Sequence, residues 1–171
     1  MTYPIVLYGE PVLEKQAATV TEFDTPDLHK LVDDMFESMY AAKGVGLAAT
    51  QIGISKRIAV IDLSVAEDPQ QKIVLINPEV VKVEGTQKSE EGCLSLPTFR
   101  EQVNRPKKVT VRAHDAAGKE FEMTGEDLLA RAFLHETDHL NGKLFISHVS
   151  PLKRDLIRRK IRKLQKLGEW E

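Results

Sequence analysis

Two histidines and one glutamate within residues 128–140 have the types and spacing of a metal-dependent hydrolytic site. His135 and His139 are four residues apart, so on a helix both imidazoles lie on one face and can reach one cation. Glu136 lies about 100° further round the helix, where its carboxylate can take a proton from water activated by the ion. A single histidine on an apolar helix is usually a core residue, but two buried imidazoles on one face need partners, which a metal ion supplies.

Cys93 is the candidate for a third ligand. A catalytic metal site usually has three protein ligands and leaves a fourth position to water, so two histidines leave the site one ligand short. Cys93 is the only cysteine, which excludes an internal disulfide and leaves three roles for it: metal ligand, nucleophile or buried filler. Gly92 and Pro97 on either side indicate a bent strand edge or a turn.

Residues 44–51, Gly-Val-Gly-Leu-Ala-Ala-Thr-Gln, form a second segment of interest. They lack the Gly-Lys-Ser/Thr ending of a phosphate-binding loop and the spacing of a dinucleotide fingerprint, which argues against nucleotide binding. Gly44 and Gly46 permit close approach of another backbone, so an extended peptide would fit against them. The alternative is a turn that ends the preceding helix.

Composition and charge indicate one domain over residues 1–171. The chain is 42% hydrophobic with a formal net charge of −2, which suits a single core. Residues 151–171 hold eight lysines and arginines against three acids, net +5, and the rest of the chain carries −7. No apolar run is long enough to cross a membrane and no signal peptide precedes the domain, so we expect a cytoplasmic protein without a membrane partner.

Cap residues and apolar periodicity predict three helices, at residues 26–43, 128–140 and about 151–168. Thr25 or Asp24 caps the first helix, and Gly44 ends it. Acids at residues 125–127 open the second at its positive end, and residues 141–142, Asn-Gly, close it.

Short β-branched runs predict strands, at residues 58–63, 73–76 and 80–83, and a hairpin at residues 108–123. No helical segment between these strands is long enough for a parallel crossover, so the pairing must be mostly antiparallel. We therefore expect an α+β fold of mostly antiparallel short sheets, packed around a central metal-binding helix that carries His-Glu-x-x-His.

Three segments together resemble the motifs of the peptide deformylase family, in the same order and spacing. Residues 44–51 are similar to its glycine-rich first motif, residues 91–95 (Glu-Gly-Cys-Leu-Ser) to its second, and residues 135–140 (His-Glu-Thr-Asp-His-Leu) to its third. The resemblance covers nearly the whole chain, and the second motif in full is typical of the bacterial branch. Leu134 stands where glutamine is common in the family, a departure that affects a local hydrogen bond and no ligand position.

The resemblance implies hydrolysis of the formyl group from N-formylmethionyl peptides, with release of formate. It implies three metal ligands: Cys93, His135 and His139. Glu136 is the implied general base and acid, and the side-chain amide of Gln51 and the backbone N–H of Leu94 are the implied donors to the oxyanion. Fe²⁺ is the implied physiological ion, which Zn²⁺, Ni²⁺ or Co²⁺ can replace.

Substrate contacts are predicted from the helix and from the resemblance. Leu128 and Ala132 share the stripe of His135, where they either form the apolar wall of a methionine pocket or simply pack the core. By resemblance, three residues hold the substrate backbone as an added strand: Gly44, Val45 and Gly46. Glu91 and Arg105 are expected to pair behind the cysteine.

The last helix predicts a further partner. Its cations cluster in an otherwise acidic protein, and the resemblance implies docking to the ribosome near the exit tunnel, where nascent formylated peptides emerge. The cations would then contact RNA phosphates without sequence preference. The alternative is a solvated face on a helix packed against the body.

Two other functions share some of these features. A zinc peptidase also uses His-Glu-x-x-His but takes its third ligand downstream, for which His148 is a possible candidate and Glu169 and Glu171 are poor ones. An RNA-binding protein with a structural metal would close the fourth ligand position, whereas this chain offers three ligands and a carboxylate beside the gap.

Overall fold

The computed structural model describes all 171 residues. Its helices and strands follow one another as α1 (Pro26–Ala41), β1 (Gly46–Ala48), β2 (Ile58–Ile61), β3 (Ile73–Glu84), β4 (Gln87–Cys93), β5 (Leu96–Arg105), β6 (Lys108–His114), β7 (Glu120–Glu126), α2 (Leu128–Leu140) and α3 (Pro151–Lys166). Every pair of neighbouring strands is antiparallel. The expected α+β fold is therefore confirmed, and so is the hairpin, which is formed by β6 and β7.

A five-stranded sheet, in the order β1-β2-β3-β6-β7, lies between α1 and α2. Side chains alternate along a strand, so the two faces of β2 pack against different helices. Ala59 and Ile61 share a hydrophobic cluster with residues of α2, and Ile58 and Val60 share one with residues of α1. All four are fully buried, since a helix covers each face of the sheet. Helix α2 is thereby held in the interior with Phe133 fully buried against the sheet.

Strands β4 and β5 form a separate two-stranded sheet. Their register shifts between Gly92 and Cys93, which confirms the bend or turn predicted there. The two strands themselves were not predicted, because most of their side chains are polar and give no apolar alternation. Leu96 of β5 packs with Ile157 and Ile161 of α3, so the last helix belongs to the core of the body.

Helix α1 begins as predicted and ends early. The Thr25 side chain accepts a hydrogen bond from the N–H of Leu28 at 3.1 Å, which caps the helix. The expected stop at Gly44 is wrong: the helix ends at Ala41, and Lys43 takes the left-handed conformation with φ 60°. A glycine near a helix end is a preference and not a requirement, so neighbouring residues can take that role.

Helix α2 opens differently from the prediction. Residue Glu126 is the last residue of β7, which pairs with β6 along its whole length, and Asp127 (φ 54°) makes no capping hydrogen bond. The far end is as expected, because Asn141 caps the helix and Gly142 follows at φ 78°. A Cβ at Gly142 would lie 2.7 Å from the carbonyl oxygen of Glu14, so the position requires glycine.

The two strands expected on either side of Asn77-Pro78 are one bent strand, β3. The bend lies at Asn77, whose φ is 52° and beyond which the pairing with β6 shifts. The Asn77 side chain holds it, since its amide and carbonyl groups bond the backbone of Val20 at 2.9 Å each. Pairing across the bend therefore continues where the sequence indicated a break.

Strand β2 ends at Ile61, two residues before the predicted end, because Asp62 begins a tight polar loop. The buried Asp62 carboxylate accepts hydrogen bonds from the Ser64 hydroxyl, the N–H groups of Ser64 and Ala66, and the Tyr40 hydroxyl. Burial raises the pKa of Asp62, but the bonds from Ser64 and Tyr40 outweigh it and hold the pKa at about 2.

Helix α3 begins after Ser150, whose side chain accepts a hydrogen bond from the N–H of Lys153 at 3.2 Å, as predicted. None of the helices in the structure is both long and apolar enough to cross a membrane.

Candidate metal centre

Helix α2 and the β4–β5 turn bring the three predicted ligands together. One ligand atom from each of Cys93, His135 and His139 lies within 4.8 Å of the others. The Cys93 sulfur is 3.3 Å from Nε2 of His139, which is 3.1 Å from Nε2 of His135. The four-residue helical spacing places both imidazoles on one face, and the bend after Gly92 carries the sulfur over them.

These three side chains fit a transition-metal cation. The Nδ1 of His135 bonds the Glu91 carboxylate at 2.6 Å, which directs its Nε2 toward the other two ligands. Burial and the neighbouring His135 hold the pKa of His139 well below its usual value, so this ring is neutral and can bind a metal. Burial lowers the pKa of His135 too, but hydrogen bonds to Cys93 and Glu91 outweigh it and raise the pKa well above the usual value. The surroundings of this ring therefore stabilise a positive charge, which a bound cation would supply in place of the proton. Sulfur and imidazole ligands suit Fe²⁺, Zn²⁺, Ni²⁺ or Co²⁺ better than Mg²⁺ or Ca²⁺.

Glu136 lies in the same pocket without a partner for one of its oxygens. Its Oε1 is buried and makes no hydrogen bond, and burial raises the pKa of the carboxyl group to about 7. Such a group can both accept and return a proton near neutral pH. A Cβ at Gly46 would lie 2.5 Å from Oε2 of Glu136, so a larger residue there would displace this carboxylate from its position.

Gln51 presents its amide nitrogen to the ligand cluster. The side-chain oxygen accepts a hydrogen bond from the N–H of Ala48 at 3.0 Å, which fixes the orientation of the amide. The nitrogen then lies 3.5 Å from the Cys93 sulfur and 3.2 Å from the Ser95 hydroxyl. Leu94 lines the same pocket in the turn between β4 and β5. The Gln51 amide nitrogen is thus next to the ligands, and Leu94 follows one of them directly in the chain.

Behind the ligands, the expected pair of Glu91 and Arg105 is present within a larger cluster. Arg105 bonds Glu91 through two nitrogens, at 2.7 and 3.2 Å, and Arg131 bonds it at 2.6 Å. All three side chains are buried. Burial raises the pKa of Glu91, but His135 and Arg105 outweigh it and keep the pKa well below its usual value. Arg131 was not predicted, although a cation four residues before His135 on an apolar helix was a signal that it needed a partner.

His148, the alternative third ligand, is engaged elsewhere. Its Nε2 lies 2.8 Å from the Asp138 carboxylate and 3.2 Å from Nη1 of Arg105, and Arg105 also bonds Asp138 at 2.7 Å. Glu169 and Glu171 are exposed in the tail. The ligand set of a zinc peptidase is therefore not assembled in this structure.

The ligands open into a pocket of about 630 Å³. The predicted substrate and catalytic residues that line it are Gly44, Val45, Gly46, Gln51, Leu94, Leu128, Ala132 and Glu136. Leu128 is 53% exposed at the mouth, whereas Ala132 is buried deeper. Phe99 and Arg100 of β5 complete the wall and were not predicted, because the strand that carries them was not. Strand β1, at the edge of the five-stranded sheet, begins at Gly46 beside this pocket.

Comparisons with known proteins agree with this arrangement. The family model for polypeptide deformylase matches residues 2–155. A peptide deformylase of Acidobacterium capsulatum is 64% identical over 170 residues, 99% of each chain, and one of Cellvibrio japonicus is 50% identical over 166 residues, 96% of each chain. The crystal structure of a peptide deformylase from Legionella pneumophila is 47% identical, with a TM-score of 0.90 over 100% of this chain and 99% of that one.

Proposed function

Because this chain belongs to the polypeptide deformylase family, we propose that the residues converging on Cys93 carry out the family's reaction. The protein is a hydrolase that removes the N-formyl group from newly made peptides. The observation that carries the assignment of residues is the convergence of three ligand atoms within 4.8 Å in a pocket that also holds a buried oxygen of Glu136 without a partner.

Three residues would hold the metal ion: Cys93, His135 and His139. When bound, the ion supplies a Lewis acid that lowers the pKa of water and polarises the formyl carbonyl. Glu91 orients one of the two imidazoles through its bond to Nδ1 of His135, and the two guanidinium groups keep Glu91 itself ionised and fixed.

Glu136 is the general base and acid of the proposed mechanism. Its carboxylate takes a proton from water and returns it to the peptide nitrogen as the formyl group leaves. The Gln51 amide nitrogen and the Leu94 N–H stabilise the negative charge that develops on the formyl oxygen. The Ala48 N–H fixes the amide of Gln51 beforehand, so no reorientation is needed during the reaction.

The peptide substrate binds along the edge of the main sheet. Gly44, Val45 and Gly46 contact its backbone as an added strand, since β1 has a free edge beside the pocket. Leu128 and Ala132 form the apolar wall for the methionine side chain. Residues 1–171 act as one domain, because the last helix shares its core with strand β5.

We propose Fe²⁺ as the physiological ion, with Zn²⁺, Ni²⁺ or Co²⁺ able to occupy the purified protein. A thiolate on Fe²⁺ invites oxidation of both metal and sulfur, so air should inactivate the iron form and spare a nickel form. The test compares half-lives in air of anaerobically prepared iron and nickel forms of the same batch. Equal half-lives would count against iron-specific sensitivity.

The function is tested by formate release from a formyl-Met peptide, measured together with metal content on anaerobically prepared protein. Replacing Cys93 by Ser should abolish both, whereas His148→Ala should retain both, because His148 lies outside the converging ligands. The opposite result would favour a peptidase-type ligand set.

The exposed face of α3 docks the protein to the ribosome, in the cytoplasm where formylated chains emerge. Ile157 and Ile161 face the body, while Leu152 and Leu156 are 70% and 47% exposed among the cations. The partner surface therefore combines phosphate with an apolar contact.

Truncating α3 would uncover the core, so charge reversal of exposed residues is the cleaner test. A variant with Arg159, Lys160 and Lys163 changed to Glu should lose salt-sensitive ribosome binding and keep its turnover of a short formyl peptide. A Lys82→Glu variant on the exposed end of β3 is the control. Unchanged ribosome affinity in the triple variant would reject docking through α3.

A further inference from the structure

The chain turns back after α3 and returns to the body. Gly168 takes the left-handed conformation with φ 71°, and its N–H bonds the carbonyl of Gln165 at 3.1 Å. The N–H of Glu169 bonds the carbonyl of Leu164 at 2.8 Å, which completes a glycine-dependent helix stop. This reversal carries Trp170, the only tryptophan in the chain, away from the helix axis and onto the body.

Trp170 makes two specific contacts there. Its indole N–H donates a hydrogen bond to the carbonyl oxygen of Tyr8 at 2.9 Å. Its ring meets the ring of Phe99 edge-on, with 6.0 Å between centroids and 60° between planes. Phe99 is a wall residue of the substrate pocket, so Trp170 contacts that wall.

Tyr8, which accepts the hydrogen bond from Trp170, is also bonded to the turn between β4 and β5. The N–H of Tyr8 donates to the carbonyl of Ser95 at 2.9 Å, and the N–H of Ser95 lies 3.4 Å from the Cys93 sulfur. Two residues earlier in the same segment, the N–H of Val6 bonds the carbonyl of Gln51 at 2.7 Å. Direct contacts thus link Trp170, the N-terminal segment and the turn between β4 and β5.

We propose that Trp170 is a positioning residue for peptide binding, which fixes Phe99 in the pocket wall and is itself held in place by Tyr8. This inference rests on the deformylase function proposed above and adds a residue far from its motifs. The position of the wall then depends on the last turn of the chain, beyond the residues that the family model matches. The expected signature is a change in substrate affinity and not in the chemical step.

Steady-state kinetics of the metal-loaded full-length protein test the proposal. Trp170→Ala should raise KM for a formyl-Met tripeptide about fivefold, the size of effect that one aromatic pair accounts for, with kcat changed less than about twofold. Trp170→Phe, which keeps a ring against Phe99, should recover most of the KM. Leu167→Ala, on the exposed side of the same chain end, is the control and should match the parent protein.

Intrinsic fluorescence gives a second readout, because Trp170 is the only tryptophan. Titration of a Met-Ala-Ser peptide, a deformylation product, should shift the emission of Trp170 and saturate at the concentration at which the same peptide inhibits turnover. The shift should be lost in Phe99→Leu. A residue that merely stabilised the fold would give no shift on peptide binding.

Two results would overturn the inference: an unchanged KM in Trp170→Ala, or an emission spectrum that does not respond to the saturating peptide. If Trp170→Ala is poorly folded by circular dichroism, the fluorescence titration of the parent protein and the KM of Trp170→Phe decide. Failure of the parent protein to release formate would reject the proposed function instead, so the two failures are distinguishable.

Discussion

The loop after β2 and the cluster behind Cys93 both bury a carboxylate among hydrogen-bond donors, but they recruit the donors from very different distances along the chain. The side-chain and backbone donors to Asp62 from Ser64 and Ala66 are two and four residues away, and only Tyr40 is further, at 22. The donors to Glu91 are 14, 40 and 44 residues away, on β5 and α2.

This difference distinguishes Asp62, which stabilises a loop, from Glu91, which orients a side chain of the site. Local donors turn the chain after a strand, and the loop around Asp62 includes no pocket residue. Long-range donors instead join β4 to α2, so Glu91 on the strand of Cys93 orients His135 on the helix. Glu136 stands apart from both, because one of its buried oxygens has no donor at all.

Among the buried carboxylates, substitution of Glu136 should have the largest effect. Glu136→Gln removes the proton acceptor and keeps the side chain's shape, so kcat should fall by about 10³-fold while metal content stays unchanged. Formate release and metal analysis of the same sample provide the measurement. Glu90→Gln, an exposed residue that lines the same pocket, is the control. Retention of most of the turnover in Glu136→Gln would rule out its proposed role.

Removing the charge of Glu91 should have the next largest effect. Glu91→Gln leaves the buried Arg131 without a carboxylate partner and Arg105 with Asp138 alone, which should lower the free energy of unfolding by about 3–5 kcal/mol. Metal affinity should fall about 10–100-fold, because His135 loses the acceptor that orients it. Metal retention during dialysis against a chelator and denaturant titration measure the two effects. A variant as stable and as metal-rich as the parent would show that Glu91 is dispensable.

The local cluster should give a smaller effect that depends on pH. The pKa of Asp62 is about 2 in the folded protein, below the usual value of about 3.9 in an unfolded chain. Its stabilisation is therefore fully present above about pH 4 and is lost as the pH falls toward 2. Asp62→Asn should cost about 1–2 kcal/mol at pH 7, and the difference from the parent should shrink to near zero below pH 2.

Denaturant titrations of both proteins across this range, each without metal, make the measurement, since both then share the same ligand site. A difference that stays constant between pH 7 and pH 2 would mean that the charge of Asp62 contributes nothing, and that its shape alone matters.

The exposed charges of α3 should have the smallest effect on the free energy of unfolding. Asp155 and Arg159 form an ion pair at 3.0 Å one helical turn apart, with both side chains about half exposed or more. Asp155→Asn should change the free energy of unfolding by less than about 0.5 kcal/mol, because water screens the pair. A loss as large as that in Asp62→Asn would contradict the distinction between buried and exposed carboxylates.

The same distinction between local and long-range contacts explains what the sequence could predict. The caps at Thr25 and Ser150, and the alignment of His135 with His139, depend on neighbours within four residues, and each was predicted. The continuation of β3 past Pro78 depends on Asn77 bonding Val20, 57 residues away, and no local pattern announces it.

The site divides in the same way. The three ligands and Glu136 were predicted from motifs and resemblance, and the structure brings them together. The partners that hold them were largely unforeseen. Arg131, Asp138 and Ser95 contribute through pairs that exist only once β4, β5 and α2 are packed.

The position of Cys93 also allows metal loading to be measured by modification of its thiol. It is the only thiol in the chain and one of the three converging ligands, so a thiol-reactive dye can modify a molecule at one position only. One equivalent of dye should react per metal-free chain, and a bound ion should protect the sulfur. In a sample kept free of oxygen, the unreacted fraction then counts the loaded molecules directly, whichever metal they contain.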